Sequence, residues 1–244
     1  MARLFKLFWL TALLLGVTLA AGCVKYKQIV TVMPDGSGKV QYIAGYNQQL
    51  ADDGENPLAE FTPQAFGERS EGIVAYTQPI RYDEAGWSYV AFTGYFTDIN
   101  EVAIAGPDNG GDPVRFVYQS RDGRSTLAIR GGVIQSIAGD FEPVEPEDRA
   151  DLETELMAGF EVIERFVLPG EVTAVEGTRG VEEMPRAVEL WIDVSALVDE
   201  DGPLTQLKKT EQIVLEISPS SLADEQIAAF RAEMEQAVEG DEPE

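Results

Sequence analysis

The sequence predicts an α+β fold: a largely antiparallel sheet of successive hairpins with two to three helices packed on it. Three observations lead there. Pairs of β-rich segments are joined three times by short turns of Asp, Gly and Pro. A proline- and acid-rich run then introduces a helical pattern, and the chain closes on a capped amphipathic stripe. Hairpins in series build antiparallel sheets, and helices outside the series cover them.

Tyr26 to Met33 carries β-branched residues at 29 to 32 and reads as a strand. Pro34-Asp35-Gly36-Ser37-Gly38 follows, and Val40 to Ile43 returns as its partner. Pro34 presets the turn entry, and Asp35-Gly36 favours positive φ. The polar stretch 47–72 holds Thr62-Pro63, a helix start, within a short helix over 57–69. Ile73 to Tyr82 and Trp87 to Phe96 flank Asp83-Glu84-Ala85-Gly86 as a second, aromatic hairpin. Alternation along its second strand places Trp87, Tyr89, Ala91 and Thr93 on one face, and Ser88, Val90, Phe92 and Gly94 on the other. A loop of Gly, Pro, Asp and Asn at 106–113 precedes the third hairpin, 114–119 with 125–130, around Arg121-Asp122-Gly123-Arg124.

The linker Glu142 to Glu147 leads into a helix over 148–158, with Leu152 and Leu156 as its apolar pair. Residues 160–168 interleave apolar side chains at odd and even positions, as in a strand buried on both faces, and Pro169-Gly170 ends it. Strands follow at 187–194 and 210–217. The last element is an amphipathic helix over 218–239: Ser221 to Asp224 has the form of a capping box, and Ala223, Ile227, Phe230, Met234 and Val238 repeat at helical spacing. Residues 240–244 form an acidic tail.

The first 22 residues read differently. Arg3 and Lys6 precede an apolar run from Leu7 to Ala21, which is short for the roughly 20 residues of a stable membrane span. A positive head, an apolar centre and small residues at the end make a secretory signal. Its last residues, Leu19-Ala20-Ala21-Gly22, lead into Cys23, the single cysteine of the chain. This stretch resembles the lipobox of bacterial lipoproteins. The resemblance implies that Cys23 Sγ receives a diacylglycerol, that the chain is cut before it, and that the new amino group takes an acyl chain such as palmitate. A thiolate is a good nucleophile toward a lipid donor. One acyl chain anchors marginally and two or more anchor firmly, each buried CH₂ contributing about 0.8 kcal/mol.

Composition narrows what the domain over 23–217 can do. The chain has 43 acidic residues against 18 basic ones, a formal charge of −25. Such an excess repels nucleic acid, which is excluded as a partner, and disfavours anionic head groups. With its one cysteine modified, no thiol remains for disulfide, metal or redox work. The absence of histidine removes the commonest general base and metal ligand, so Ser-His-Asp triads and His-based zinc sites are ruled out. No phosphate-binding or dinucleotide fingerprint is present. No cofactor or metal is expected. The acidic loops Asp108 to Asp112 and Asp199-Glu200-Asp201 have only a faint calcium flavour, since Pro203 stands at the next ligand position of the second. Arg115, Arg121, Arg124 and Arg130 could grip phosphate or sugar acids, or pair with the protein's own carboxylates.

A lipobox cysteine, a strand, Asp35-Gly36-Ser37-Gly38 and a second strand together resemble the opening of LppM-type bacterial lipoproteins. Phe166 to Val172, a loop with Gly177, then Val188-Glu189-Leu190-Trp191 are similar to a later element of that family. The two patches cover about 24–46 and 160–195. The resemblance implies an extracytoplasmic α+β domain that contacts lipids or glycolipids, and it supplies no catalytic residues. The chain departs from that pattern in closing on a capped amphipathic helix rather than a membrane helix.

The leading expectation is therefore a non-enzymatic envelope lipoprotein, anchored through Cys23, with an apolar or lipid ligand. Trp87, Tyr89, Phe92, Tyr95 and Phe96 are the candidate wall for that ligand, or else ordinary core. The alternative is a structural or assembly lipoprotein acting on envelope proteins, and a carboxylate-based hydrolase comes third.

Overall fold

The first hairpin forms as its sequence dictates. β1 (Val24–Val32) and β2 (Gly38–Asn47) pair antiparallel from Val24↔Tyr46 to Val32↔Gly38. Gly36 takes φ +85°, which costs a glycine nothing. Asp35 Oδ1 accepts hydrogen bonds from Ser37 N at 3.2 Å and Ser37 Oγ at 2.6 Å, closing the turn. This computed structural model describes residues 24–49, 56–104, 113–121, 124–140, 159–177, 181–193, 196 and 202–240. The signal segment, Cys23, the predicted 148–158 helix, most of the acidic loops and the 241–244 tail lie outside them.

The predicted 57–69 helix is the single turn α1 (Pro63–Gly67), where Thr62 Oγ1 accepts from Ala65 N at 3.2 Å. The predicted 73–82 strand is two pieces, β3 (Ala75–Tyr76) and β4 (Ile80–Glu84). Pro79 lies at the break and has no N–H to give a ladder. Both pieces pair with β5 (Trp87–Phe96), β3 at its far end and β4 at its start. Ala85 and Gly86, at φ +50° and +83°, turn the β4–β5 hairpin.

A 3₁₀ turn (Ile99–Glu101) leads to the second sheet: β6 (Ala103–Ile104), β7 (Val114–Arg121) and β8 (Arg124–Arg130). The helix α2 (Val133–Asp140) follows, then β9 (Glu161–Val167), β10 (Val172–Glu176), β11 (Val181–Met184) and β12 (Ala187–Asp193). The chain ends with α3 (Pro203–Leu207), β13 (Ile213–Ile217) and α4 (Asp224–Gly240).

The strands form two sheets. The larger runs β11-β12-β9-β1-β2-β5-β3, with β4 also on β5; the smaller runs β10-β13-β8-β7-β6. Every pairing among the described residues is antiparallel except β1 with β9. The fold is thus α+β and dominated by antiparallel sheet. One apolar core joins the two sheets, and Phe116 of the smaller meets Phe166 of the larger edge-on, centroids 6.2 Å apart. β9 is central; Val162, Glu164 and Phe166 are buried on its inward face, while on the other only Ile163 is buried and Glu161, Arg165 and Val167 are half-buried, so the predicted burial on both faces is partial.

α4 begins at Asp224, two residues later than a cap at Ser221 predicts. Gln226 Oε1 instead reaches back to Ala223 N at 3.0 Å, which makes Ala223 the cap position. The helix covers only one corner of the larger sheet. Phe230 is buried against Met33 and Tyr95, with Leu222, Met234 and Ala237 around it. Glu233 accepts from Lys39 Nζ at 2.8 Å and from Tyr95 Oη at 2.7 Å, and Arg231 pairs with Asp35 at 2.7 Å. Burial raises the Glu233 and Asp35 carboxyls, but these hydrogen bonds outweigh it and hold both below the ordinary range. Their contribution is therefore present at neutral pH and lost as pH falls through the folded pKa. Phe230→Ala is expected to cost about 3 kcal/mol. Hydrogen exchange should show α4 losing protection while β1, β2 and β9 keep theirs; equal loss everywhere would mean that α4 is no separate docking unit.

Candidate functional site

The larger sheet presents two chemically different faces, set by residue parity along each strand. Register carries each face across the sheet. On the inner face one row runs Leu190, Glu164, Gln28, Tyr42, Phe92. Two rows of the outer face run Asp193, Glu161, Lys25, Gly45, Tyr89, Tyr82, and then Trp191, Ile163, Lys27, Ile43, Ala91, Ile80.

The inner face is core. Phe92 is enclosed by Tyr42, Phe61, Phe66 and Tyr76, with ring centroids 5.0, 5.2, 5.4 and 6.1 Å away. A polar seam crosses this interior. Tyr26 Oη donates to Gln28 Oε1 at 2.9 Å, while Gln28 Nε2 has no hydrogen-bonding partner. Burial pushes the Tyr42 hydroxyl well above the usual tyrosine value and that of Tyr76 to about 12, so both stay neutral at any physiological pH.

Glu164 is the unusual member. It is 1 % exposed and carries a carboxyl into this interior. Its Oε1 accepts from Val133 N at 2.8 Å, and the Ile134 N–H also points at the carboxyl, so a residue of β9 caps the start of α2. Burial raises its pKa to about 7, and the two backbone N–H groups only partly offset that. Gly132, at φ +110°, makes room: a Cβ there would stand 2.8 Å from Glu164 Oε1. Sequence reasoning missed this residue because nothing local marks it.

The outer face holds an aromatic ladder. Tyr82 and Tyr89 stack with centroids 5.0 Å apart at 15°, and Trp87 continues the stack 6.4 Å from Tyr89. Lys25 Nζ lies 4.6 Å from the Trp87 ring centroid, a cation–π contact. Gly45 is what lets the Tyr89 ring lie flat, since a Cβ there would meet it at 2.5 Å. Ile80 is 66 % exposed, Tyr82 40 % and Trp191 47 %.

The five aromatics singled out in the sequence therefore do not share one surface. Phe92 and Phe96 point into the core, Tyr95 lies under α4, and Trp87 and Tyr89 belong to the outer ladder. The two buried carboxylates among the described residues are likewise separated by the sheet. Glu164 faces in, and Glu189 faces out, where it pairs with Arg165. No cluster of three or more metal-ligating side chains occurs among the described residues. Of the four arginines, Arg115 pairs with Glu71 at 3.3 Å and Arg130 donates to Gln212 at 2.9 Å. Arg121 and Arg124 are cross-strand neighbours beside the turn. No helix among the described residues is long and apolar enough to cross a membrane.

No family model matches this chain, and no curated protein matches it. Among solved structures it is similar to the NMR structure of the folded domain of LppM from Mycobacterium tuberculosis. The two are 15% identical, the match covers 84% of this chain and 95% of that one, and the TM-score is 0.36.

Proposed function

We propose that this chain is a bacterial envelope lipoprotein, held at the extracytoplasmic face of a membrane through acylated Cys23. In this reading it works without catalysis, as a contact surface for apolar or lipid groups. The observation that carries it is the run Leu19-Ala20-Ala21-Gly22-Cys23, which ends where β1 begins at Val24. The lone cysteine thus separates an apolar leader from a folded domain, the position a lipid attachment site needs. A core with one thiol available to it would gain nothing structural from that cysteine.

Other features support the non-catalytic part. The two buried carboxylates among the described residues face opposite sides of the sheet, whereas glycoside-type hydrolysis needs two that flank one bond. The candidate contact surface is the outer ladder of Trp87, Tyr89 and Tyr82, because the inward half of the aromatic hairpin is filled by other rings.

Intact mass of the protein extracted from its membrane tests the anchor. The expected species starts at Cys23 and carries a diacylglyceryl group, and Cys23→Ser is expected to move the protein from the membrane to the soluble fraction. An unmodified Cys23, or a Cys23→Ser protein that stays membrane-bound, would remove the reading. Carboxylate hydrolysis becomes the better account only if activity on a glycan is lost on neutralising a carboxylate that leaves folding intact.

A further inference from the structure

On the outer face of the larger sheet α4 covers one corner, and at one end Ile80, Tyr82 and Trp191 stand exposed, while Trp87 is 9 % exposed with Lys25 over its ring. That end is the start of β1. The signal segment contains Trp9, and the other two tryptophans of the chain, Trp87 and Trp191, both lie on this face at this end. Trp191 shares the row of Lys27, three residues into β1, and Trp87 lies opposite Asn47, beyond the first paired residue of β1. Tyr82 and Tyr89 share the row of Lys25, and Ile80 that of Lys27. From β12 across β9, β1, β2 and β5 to β4 are five strand spacings, so the strip is about 24 Å wide at about 4.8 Å each. β1 lies inside it, with Trp191 to one side and the ladder to the other.

We infer that this strip is a membrane-resting face: it seats the domain on the phospholipid interface of the bilayer that holds the Cys23 acyl chains. The inference rests on the anchor proposed above and adds an orientation to it. The argument is one of chain length. Cys23 is bonded directly to Val24, the first residue of β1, and consecutive Cα atoms are about 3.8 Å apart. No linker exists to lift the sheet away, so an acylated Cys23 holds this end of β1 at head-group level. Side chains within three residues of Val24 along the strands then lie within about 10 Å of that level.

The chemistry at that depth fits. Tryptophan and tyrosine prefer the water–lipid boundary because each combines an apolar ring with a polar tip. The Trp191 Nε1–H, held 3.3 Å from Glu161 Oε1, is such a tip. The ladder is also set before it binds: Gly45 lets Tyr89 lie flat, and a Cβ on Gly159 would stand 2.8 Å from Trp87 Cζ2, so both rings lie where the backbone leaves room. Little ordering cost is left to meet on contact. Lys25 and Lys27 are offset by Glu161 and Asp193, both in the row of Lys25, which makes the face electrically mixed and suits a zwitterionic surface. Covalent tethering makes contact intramolecular, so a patch too weak to bind from solution suffices.

The test uses the mature, acylated Trp87→Phe protein in phosphatidylcholine vesicles, with Trp191 as the fluorophore. Chains brominated near the head group are expected to quench Trp191 by about half relative to unbrominated vesicles, because interfacial side chains sit about 5–10 Å into the head-group boundary. Ile80→Ser with Tyr82→Ser, at the opposite end of the strip, should reduce that quenching while the mass still shows acylation. An acylated protein whose Trp191 is not quenched overturns this inference alone. So does a Trp191 emission that shifts with protein concentration in the absence of vesicles, which would assign the face to a second copy of the chain. An unacylated N-terminus removes the anchor and this inference together.

Discussion

Glu164→Gln is expected to flatten the pH dependence of stability between about pH 4.5 and 7 and to leave the protein more stable above pH 7. The carboxyl is raised from 4.5 to about 7 by burial, so between those values the folded state holds a proton that the unfolded state has released. Stability therefore falls as pH rises through this window and stays low above it. At 1.36 kcal/mol per pKa unit, charging Glu164 costs on the order of 3 kcal/mol. Glutamine keeps an oxygen for Val133 N and Ile134 N but adds an NH₂ that must find a partner, a cost of about 1 kcal/mol. The net gain at pH 8 is then about 2 kcal/mol. Asp35 and Glu233 act with the opposite sign, losing their contribution as pH falls, but both are present in either protein. The difference between two sets of urea titrations over pH 5–8 isolates Glu164. Parallel curves would mean that the carboxylate is solvated, and that α2 finds its cap elsewhere.

That residue also shows where the sequence could and could not be read. Hairpins were legible because turn chemistry and strand alternation act over a few residues: Asp35-Gly36 does what its neighbours require, and Thr62-Pro63 starts a helix from within it. α2 was not legible. Its cap position is Gly132 and the capping oxygen belongs to residue 164, so the signal for the helix lies 31 residues away in a different strand. The parallel pairing of β9 with β1 escaped for the same reason, because parallel partners are joined by long connections rather than by a turn with a signature. Pro79, by contrast, was visible, and should have divided 73–82 into the two pieces seen. Alternation along the aromatic hairpin is legible, yet composition alone groups its residues as one wall. Parity had already divided them. Gathering the aromatics at one end of the outer face needed the register of five strand pairs, which no single strand encodes.

Phe92→Ala is expected to cost about 3–5 kcal/mol, the range for truncating a buried aromatic whose neighbours cannot collapse into the space. Four rings surround it within 6.1 Å, and they are themselves pinned: Phe66 by α1, Tyr42 and Tyr76 by their strands. The midpoint of urea unfolding should drop at nearly constant slope, since the area exposed on unfolding hardly changes. Tyr89→Ala, three residues earlier on the other face, removes two stacking contacts worth about 0.5–1.5 kcal/mol each and opens no cavity in the core. The ratio of the two losses discriminates between the roles open to the hairpin. A wall lining a ligand cavity would tolerate Phe92→Ala with little loss, because its ring would have solvent or ligand on one side. A structural ring would not. If Phe92→Ala unfolds the protein far more readily than Tyr89→Ala, the interior is committed to folding, and lipid contact is left to the face that carries Tyr89. Near-equal losses would return the ligand to the interior and count against the outward reading of this sheet.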